Sequence, residues 1–240
     1  MRKLAGTVAQ RHSLLADPAF AELAASALAI RLGKGVALYC AGEPRTALYE
    51  IVHGTIRNVL PLPGGGRAVT GFHGAGDVLG LGAGRVHAEG AEAVQPSLVY
   101  AFPHEPLMRI LRHSAAAAGR LLELARAELE ARAEQVALLG RKDALGRLAL
   151  FIRMMQGRDG EGVGVRLVMS RADIARYCGL SSEAVSRAFR VLVERGIVRF
   201  RSRRRLDIID SARLDALIAA GGKRRRGHAN AATADQRGRS

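Results

Sequence analysis

Apolar positions divide the chain into a β-rich first half and a helical second half. Between residues 33 and 105, short apolar runs alternate with turns rich in Gly and Pro. The runs read VALY, LYEIVHG, TIRNVL, AVTGFH and SLVYAF, and LPGGGRA is a predicted hairpin turn. Many short strands at this spacing predict an antiparallel sandwich or barrel. The Ala-rich residues 1–30 are predicted to be helical, with a break at Asp17-Pro18.

From Pro106 onward the apolar period becomes that of a helix. Apolar residues recur in alternating steps of four and three over four heptads, interrupted by Arg132. The stripe consists of Leu111, Ala115, Ala118, Leu122, Ala125, Leu129, Val136 and Leu139. A stripe this narrow, flanked by charged residues, predicts the interface of a two-helix dimer. The alternative is one long helix packed on its own domain. Gly140 follows as a predicted hinge.

The next segment predicts two helices joined by a tight turn. An amphipathic helix at 141–156 and a short strand, VRLVM, lead to Ser170, which forms a capping-box pattern with Asp173. Cys178-Gly179-Leu180 ends the first helix, and Ser181 caps the second. The second helix has an apolar face that is predicted to point into a core: Val185, Ala188, Phe189, Leu192 and Val193.

The positions left outside that face are short polar residues and cations: Ser182, Glu183, Ser186, Arg187 and Arg190. This arrangement is typical of a helix-turn-helix, whose second helix enters a DNA major groove with its N-terminal end. IVRF and RRLDIID, joined around RSRR, predict a basic hairpin directly after it. The pattern therefore predicts a winged helix-turn-helix.

Charge is concentrated in the same half of the chain. Of the net +15, residues 1–140 hold 14 Lys+Arg against 12 Asp+Glu, whereas residues 141–240 hold 23 against 10. A basic half predicts a polyanionic partner, and double-stranded DNA fits the helix-turn-helix. The alternative is a solvated basic surface. Residues 221–240 lack apolar anchors and are predicted to be a disordered basic tail.

Cys40 and Cys178 lie far apart and form no CxxC motif, which argues against a disulfide framework or an intrachain zinc site. The segment AELAASALAIRL is too short and amphipathic to span a bilayer. We expect no membrane association and a cytoplasmic location. A cupin enzyme would need an H-x-H cluster, and no such cluster, nucleophile elbow or GK[ST] loop occurs in the sequence. We therefore expect no enzyme activity and no catalytic or metal-binding residue.

The order of a β-rich half, a long helix and a winged helix resembles the cyclic-AMP receptor protein/FNR family of bacterial transcription regulators. Gly42-Glu43-Pro44, Gly54, Arg57 and GFHGAGDVLGL are similar to the family's β-roll pattern, and MSRADIARYCGLSSEAVSRAFRVLVERGIV is similar to its DNA-binding signature. The resemblance implies an α+β chain: an antiparallel β-roll like a cyclic-nucleotide-binding domain (1–108), a dimerisation helix (109–140) and a winged helix-turn-helix (141–220), before the tail.

The FNR/FixK branch carries E-x-x-S-R on its recognition helix, matched here by Glu183, Ser186 and Arg187. The resemblance implies base contacts from these residues and Ser182, and a TTGAT-N4-ATCAA-like palindrome bound by a homodimer. Arg can bond guanine bidentately and Glu can accept from cytosine, which agrees with that assignment. The resemblance also implies contact with RNA polymerase and a set of DNA phosphate contacts: Ser170, Arg171, Arg199, Arg201 and Arg203, with Arg204 and Arg205 beside them.

The sequence departs from the cyclic-AMP and iron–sulfur patterns of the family. Cyclic-AMP binders carry a Gly-Glu pair and Arg-Ser/Thr-Ala on a phosphate-binding turn, whereas this chain has Asp77 and, farther on, Glu89 and Glu92. Acidic side chains there would repel a phosphate, although Arg85 is near. Residues 1–30 lack the cysteines of an iron–sulfur cluster. The β-rich half contains His53, His73, His87 and His104, so haem is not excluded. We expect each of these histidines to be hydrogen-bonded or at the surface. A regulator gated by haem or cyclic AMP stays the alternative.

A cofactor-free regulator, similar to FixK, is the expected form, with activity set by expression or by a covalent change. Cys178 is the candidate redox residue. It is expected in the turn between the two helices, close to DNA phosphates and to Arg176, whose charge would favour the oxidisable thiolate. The alternative is a small residue that fills a tight turn.

Overall fold

The computed structural model describes residues 14, 17–82, 84–159 and 164–220. A 3-10 helix at Pro18–Phe20, capped by Asp17, leads into the four-residue helix α1 (Ala21–Ala24). The prediction of helix up to residue 30 is wrong, because strand β1 (Leu28–Leu32) begins there and pairs with a neighbouring strand. Sheet pairing outweighs the helix propensity of this Ala-rich stretch. The helix predicted for residues 1–13 lies outside the described residues.

Eight strands of the described N-terminal half form two four-stranded antiparallel sheets. The further strands are β2 (Ala37–Tyr39), β3 (Ala47–His53), β4 (Ile56–Pro61), β5 (Arg67–His73), β6 (Val78–Leu79), β7 (Gly90–Ala93) and β8 (Ser97–Pro103). The strand orders are β1-β8-β3-β6 and β2-β7-β4-β5. Tyr39, Ile51, Ile56 and Val99 fill the space between the sheets. In the LPGGGRA turn, Leu62 N donates to Gly66 O at 2.8 Å, which confirms the hairpin.

Two helices follow where one was predicted. Helix α2 (His104–His113) ends at Ser114, whose hydroxyl caps helix α3 (Ala115–Leu139) by accepting a hydrogen bond from Ala117 N at 3.1 Å. Leu111 therefore lies on α2, apart from the rest of the predicted apolar stripe. Helix α4 (Ala144–Asp159) begins three residues later than expected.

The C-terminal part contains the predicted winged helix-turn-helix. Its elements are β9 (Gly164–Arg166), α5 (Arg171–Cys178), α6 (Ser182–Glu194), β10 (Val198–Ser202), β11 (Arg205–Ile208) and α7 (Ser211–Ala220). Strands β10 and β11 form the wing, and β9 completes an antiparallel sheet in the order β10-β11-β9. The sequence patterns did not predict α7, whose Leu214 is buried in the core of this part.

The β-roll and the helix-turn-helix part share one apolar core. Phe72 of β5 lies 5.4 Å from Tyr177 of α5 and 6.3 Å from Phe151 of α4, measured between ring centres. The buried Gln135 of α3 donates through Nε2 to Val69 O at 2.9 Å. The predicted fold class is confirmed: an α+β chain with an N-terminal antiparallel β-roll, a long helix and a C-terminal winged helix-turn-helix.

Candidate nucleic-acid interface

Local capping interactions fix the start of each helix in the helix-turn-helix. Asp173 N donates to Ser170 Oγ at 3.1 Å, and Ser170 N donates to Asp173 Oδ2 at 3.1 Å, so the predicted capping box is formed. Gly179 follows α5 with φ +60°, a conformation that favours glycine. Ser181 Oγ then accepts from Ala184 N at 3.1 Å and starts α6. Short-range hydrogen bonds thus form both helix starts.

Four of the five predicted core positions of α6 are buried: Val185, Ala188, Phe189 and Leu192. The prediction for Val193 is wrong, since 43% of this residue is exposed. Val193 directly follows the buried Leu192, and the helical rotation of about 100° per residue turns its side chain from the core to the surface.

The predicted base-contacting residues share the opposite face of α6. Glu183, Ser186 and Arg187 are exposed, and Ser182 is half-buried. Ser186 Oγ donates to Ser182 O at 2.9 Å, which leaves the hydroxyl oxygen free to accept. Arg187 has no hydrogen-bond or ion-pair partner in the parts of the chain that the structure describes. Hydrogen bonds from its own backbone N–H and from Ser181 lower the pKa of the Glu183 carboxyl, which therefore stays ionised as an acceptor.

The predicted phosphate-contacting residues have different environments. Ser170 and Arg199 are exposed. The Arg171 guanidinium carbon lies 3.6 Å from the centre of the Phe189 ring and 5.1 Å from that of Phe200. Burial against these rings lowers the pKa of Arg171, although an arginine remains charged. Two aromatic residues of the core therefore hold this cation at the start of α5.

Arg201 differs from the other wing cations because its Nε donates to Asp207 of the neighbouring strand. Arg203 and Arg204 have no carboxylate partner among the described residues. Together with Ser170 and Arg171 they line a cleft of about 420 Å³ between the β-roll and the helix-turn-helix, where Lys34 and Arg57 face them. The two parts of the chain thus both contribute cations to one cleft.

Cys178 does not have the environment that was expected of a redox residue. It is the last residue of α5 rather than part of the turn, and it is fully buried. Burial raises the pKa of its thiol to about 12, and the charge of Arg147 offsets this effect only in part. The exposed Arg176 makes an ion pair with Asp173 instead. The premise of a stabilised thiolate is therefore wrong, and the structure shows a small residue that fills the core.

The predicted dimer residues on α3 form an exposed apolar stripe. Leu122, Leu129 and Val136 are 60%, 68% and 69% exposed, while the opposite face of the helix buries Leu124 and Leu138. Ala115 and Ala118 are exposed, and Ala125 and Leu111 are half-buried. Leu139 is 41% exposed and lies near Gly179 of the helix-turn-helix. Arg132 points away from the stripe and toward the β-roll.

A network centred on Glu89 occupies the β-roll where the family's phosphate-binding turn is expected. The Glu89 carboxylate accepts from Asn58 Nδ2 at 2.6 Å, from Arg132 Nη1 at 3.0 Å and Nη2, and from Thr70 Oγ1. Arg132 Nε also donates to Glu128 Oε1 at 2.7 Å. Burial raises the pKa of Glu89, but these hydrogen bonds outweigh it and lower the pKa overall. Two sheet strands and helix α3 therefore converge on one carboxylate.

The histidines of the β-roll are not all surface residues. His73 and His87 are buried, and Nε2 of each has no hydrogen-bond partner among the described residues. His87 stacks on Tyr39 with ring centres 3.6 Å apart, and His73 Nε2 packs against Gly71, where a Cβ atom would lie 2.6 Å away. Burial and the charges of Arg158 and Arg132 keep the pKa of His73 well below its usual value. The expectation that each histidine is satisfied or at the surface is wrong for these two.

Two family descriptions match the chain. The cyclic nucleotide-binding domain matches residues 29–114, and the Crp-like helix-turn-helix domain matches residues 146–217. Separately, no helix within the described residues is long and apolar enough to cross a membrane.

Several named regulators are similar to the chain. The nitrogen fixation regulation protein FixK of Rhizobium meliloti is 33% identical over 183 residues, which are 76% of this chain and 83% of the relative. FixK of Bradyrhizobium diazoefficiens is 32% identical over 195 residues, 80% of this chain and 82% of the relative. The structure of FixK2 from Bradyrhizobium japonicum has a TM-score of 0.76 and 33% identity, and the match covers 80% of this chain and 96% of that one. The chain belongs to the Crp/FNR family of helix-turn-helix transcription regulators and is FixK-like within it.

Proposed function

We propose that this regulator binds TTGAT-N4-ATCAA-like palindromes as a homodimer, without a small-molecule effector, and acts on transcription through contact with RNA polymerase. The exposed set of Glu183, Ser186 and Arg187 carries this proposal. A free guanidinium can donate two hydrogen bonds to guanine N7 and O6, and an ionised carboxylate can accept from cytosine N4. The two side chains are one helical turn apart, a spacing that suits neighbouring base pairs.

The apolar stripe of α3 supports the homodimer. Leu122, Leu129 and Val136 recur every seven residues and are each more than half exposed. Burying large apolar side chains is favourable by about 1.5–3 kcal/mol each, which favours pairing with a second copy. A twofold pair would present two recognition helices to successive major grooves, and a palindrome matches that symmetry.

The Glu89 network supports binding without cyclic AMP. A cyclic phosphate in this part of the β-roll would meet a carboxylate that already accepts four hydrogen bonds, two of them from Arg132. The anion would be repelled by Glu89 and would have to displace it from Arg132. The Arg132–Glu89 bonds already connect α3 to the sheet. This connection therefore needs no bound ligand.

Selection of duplexes from a random library by the purified protein tests the proposal. Without any additive, we expect enrichment of two TTGAT-like half-sites four base pairs apart. Enrichment that requires cyclic AMP, or a visible absorption spectrum of bound haem, would favour the ligand-gated alternative. Transcription in a purified system from a promoter with the selected site tests the polymerase contact, and we expect transcript levels to change with added protein.

A further inference from the structure

A side chain of the β-roll is bonded to the first helix of the helix-turn-helix. Arg57 of β4 donates through Nη1 to Asp173 Oδ1 of α5 at 2.5 Å, across 116 residues of sequence. The same guanidinium donates from Nε and Nη2 to Glu92 Oε2 of β7, at 3.1 and 2.7 Å. The side chains of Arg57, Glu92 and Asp173 are 20%, 16% and 5% exposed. Charged hydrogen bonds with this little solvent around them are strong and directional.

Asp173 is also the residue that fixes the start of the helix-turn-helix. Its Oδ2 atom accepts from Ser170 N at 3.1 Å and from Ser170 Oγ at 2.7 Å, while Oδ1 accepts from Arg57. Both carboxylate oxygens are thus in use, one within the capping box and one toward the β-roll. The two hydrogen bonds to Glu92 orient the Arg57 guanidinium so that its Nη1 atom faces Asp173.

Other contacts also join the two parts of the chain. Arg158 of α4 donates through Nη1 to Phe72 O and, at 3.3 Å, to Asp77 Oδ2. Phe72, Phe151 and Tyr177 pack through their ring faces and edges, and apolar contacts of this kind tolerate small rotations. A planar guanidinium bonded to two carboxylates permits only a narrow range of orientations. Arg57 makes this kind of bond to α5 itself, so the angle of α5 on the β-roll depends on it.

We propose that Arg57 is a positioning residue that sets the orientation of the recognition helix and hence the spacing of the two half-sites that a dimer accepts. This inference rests on the proposed function. In a symmetric pair, each recognition helix is placed by its own Arg57–Asp173 bond, and a loosened bond leaves each helix able to read its half-site in several orientations. A protein with this bond loosened should therefore lose its preference for one spacer length while it still recognises each half-site.

Binding to a series of duplexes tests the inference. Wild type, Arg57→Ala, Arg57→Lys and Arg67→Ala are compared on palindromes with spacers of four and six base pairs, since two added base pairs rotate the half-sites by roughly 70°. Arg67 is the matched control, because it also pairs with Glu92 from the same sheet but makes no hydrogen bond or ion pair with α5 among the described residues. Thermal unfolding of every variant is recorded in parallel.

For Arg57→Ala we expect affinity for the four-base-pair spacer to fall about tenfold, the order of magnitude of one charged hydrogen bond. We expect the preference for four over six base pairs to fall at least threefold. Arg57→Lys should lie between this variant and wild type, and Arg67→Ala should keep the wild-type preference. An equal loss on both spacers, or an Arg57→Ala protein that binds more tightly, would overturn the inference. A wild type without spacer preference would overturn the proposed palindrome and the inference with it, whereas a selective wild type with equally selective variants would overturn the inference alone.

Discussion

At the scale of single residues, Arg187 is the side chain whose environment best matches a sequence-reading role. It is exposed near the start of α6 and has no hydrogen-bond or ion-pair partner among the described residues, so bonding to a base would break no hydrogen bond. We expect Arg187→Ala to weaken binding by roughly 1–3 kcal/mol and to relax the preference at one guanine. Fluorescence anisotropy on duplexes with each base pair replaced in turn measures both effects.

Arg190→Ala is the control for this prediction, because Arg190 is exposed on the same helix but lies nearly one turn farther from its N-terminus. We expect it to leave the base preference unchanged. If Arg187→Ala retained the full wild-type preference at every position, Arg187 would not read the base assigned to it.

Cys178 gives a second prediction at this scale. Since burial raises the pKa of its thiol to about 12, the native residue should remain a protonated, unreactive thiol at neutral pH. We expect a thiol reagent at pH 7.5 to label the exposed Cys40 rapidly and Cys178 only upon unfolding. A Cys40→Ser variant isolates the second thiol. Rapid labelling of Cys178 in that folded variant would restore the redox hypothesis.

Residue-level patterns predicted what depends on neighbours in the sequence. The capping box of Ser170 and Asp173, and the turn at Gly179, follow from short-range hydrogen bonding and could be read directly. The environment of Cys178 could not, because Arg176 is close in sequence but turns outward on the helix surface. The bond from Arg57 to Asp173 was equally hidden, since only the tertiary fold brings residues 116 positions apart together.

At the scale of elements, helix α3 carries the contact expected to join two chains. A carboxylate at Leu129 would be placed within the apolar stripe and would have to be desolvated on pairing. We expect Leu129→Glu to shift the protein from twice the 25.6 kDa chain mass to a single chain mass, as measured by light scattering after gel filtration. Ala127→Glu, at an exposed position of α3 outside the apolar stripe, should remain dimeric. A dimeric Leu129→Glu protein would place the interface elsewhere.

The connection between α3 and the β-roll gives a prediction about stability. Glu89→Gln leaves the Arg132 guanidinium without its strongest partner, and we expect a loss of about 2 kcal/mol, or a Tm lower by about 4–8 °C. Because the pKa of Glu89 is lowered in the folded state, its contribution is present above the ordinary carboxyl pKa of 4.5 and is lost as the pH falls below it. The difference in Tm should therefore shrink on acidification.

Glu123→Gln is the control for this comparison, because Glu123 pairs with Arg120 at the surface and should contribute little. Equal effects of the two substitutions at pH 7 would mean that the Glu89 network adds no more than a surface ion pair.

Element-level prediction succeeded where the apolar period was regular. Five β-rich runs and the recognition helix were found, whereas β1, β6 and β7 were missed. These three strands are short, Ala- or Gly-rich, or flanked by loops, and they exist because partner strands accept their hydrogen bonds. The break at Ser114 was hidden inside a continuous apolar stripe, although Ser114 is itself a typical N-cap residue.

At the scale of the whole molecule, we expect the positive charge of the C-terminal part to govern binding to DNA of any sequence. Arg203 lines the cleft beside Arg171 and has no carboxylate partner among the described residues. We expect Arg203→Ala to weaken binding to all duplexes alike and to reduce the slope of log K against log salt by about 1. Titrations at several salt concentrations measure the slope. A change restricted to one sequence would identify Arg203 as a base contact.

The decisive measurement is the affinity of the purified protein, free of any additive, for a TTGAT-N4-ATCAA duplex and for the same duplex with both half-sites scrambled. At one fixed salt concentration, we predict a preference of about a thousandfold or more, with two chains bound per palindrome. Equal affinity for the two duplexes, or a preference that arises only after cyclic AMP or haem is added, would contradict an effector-free, sequence-specific dimer.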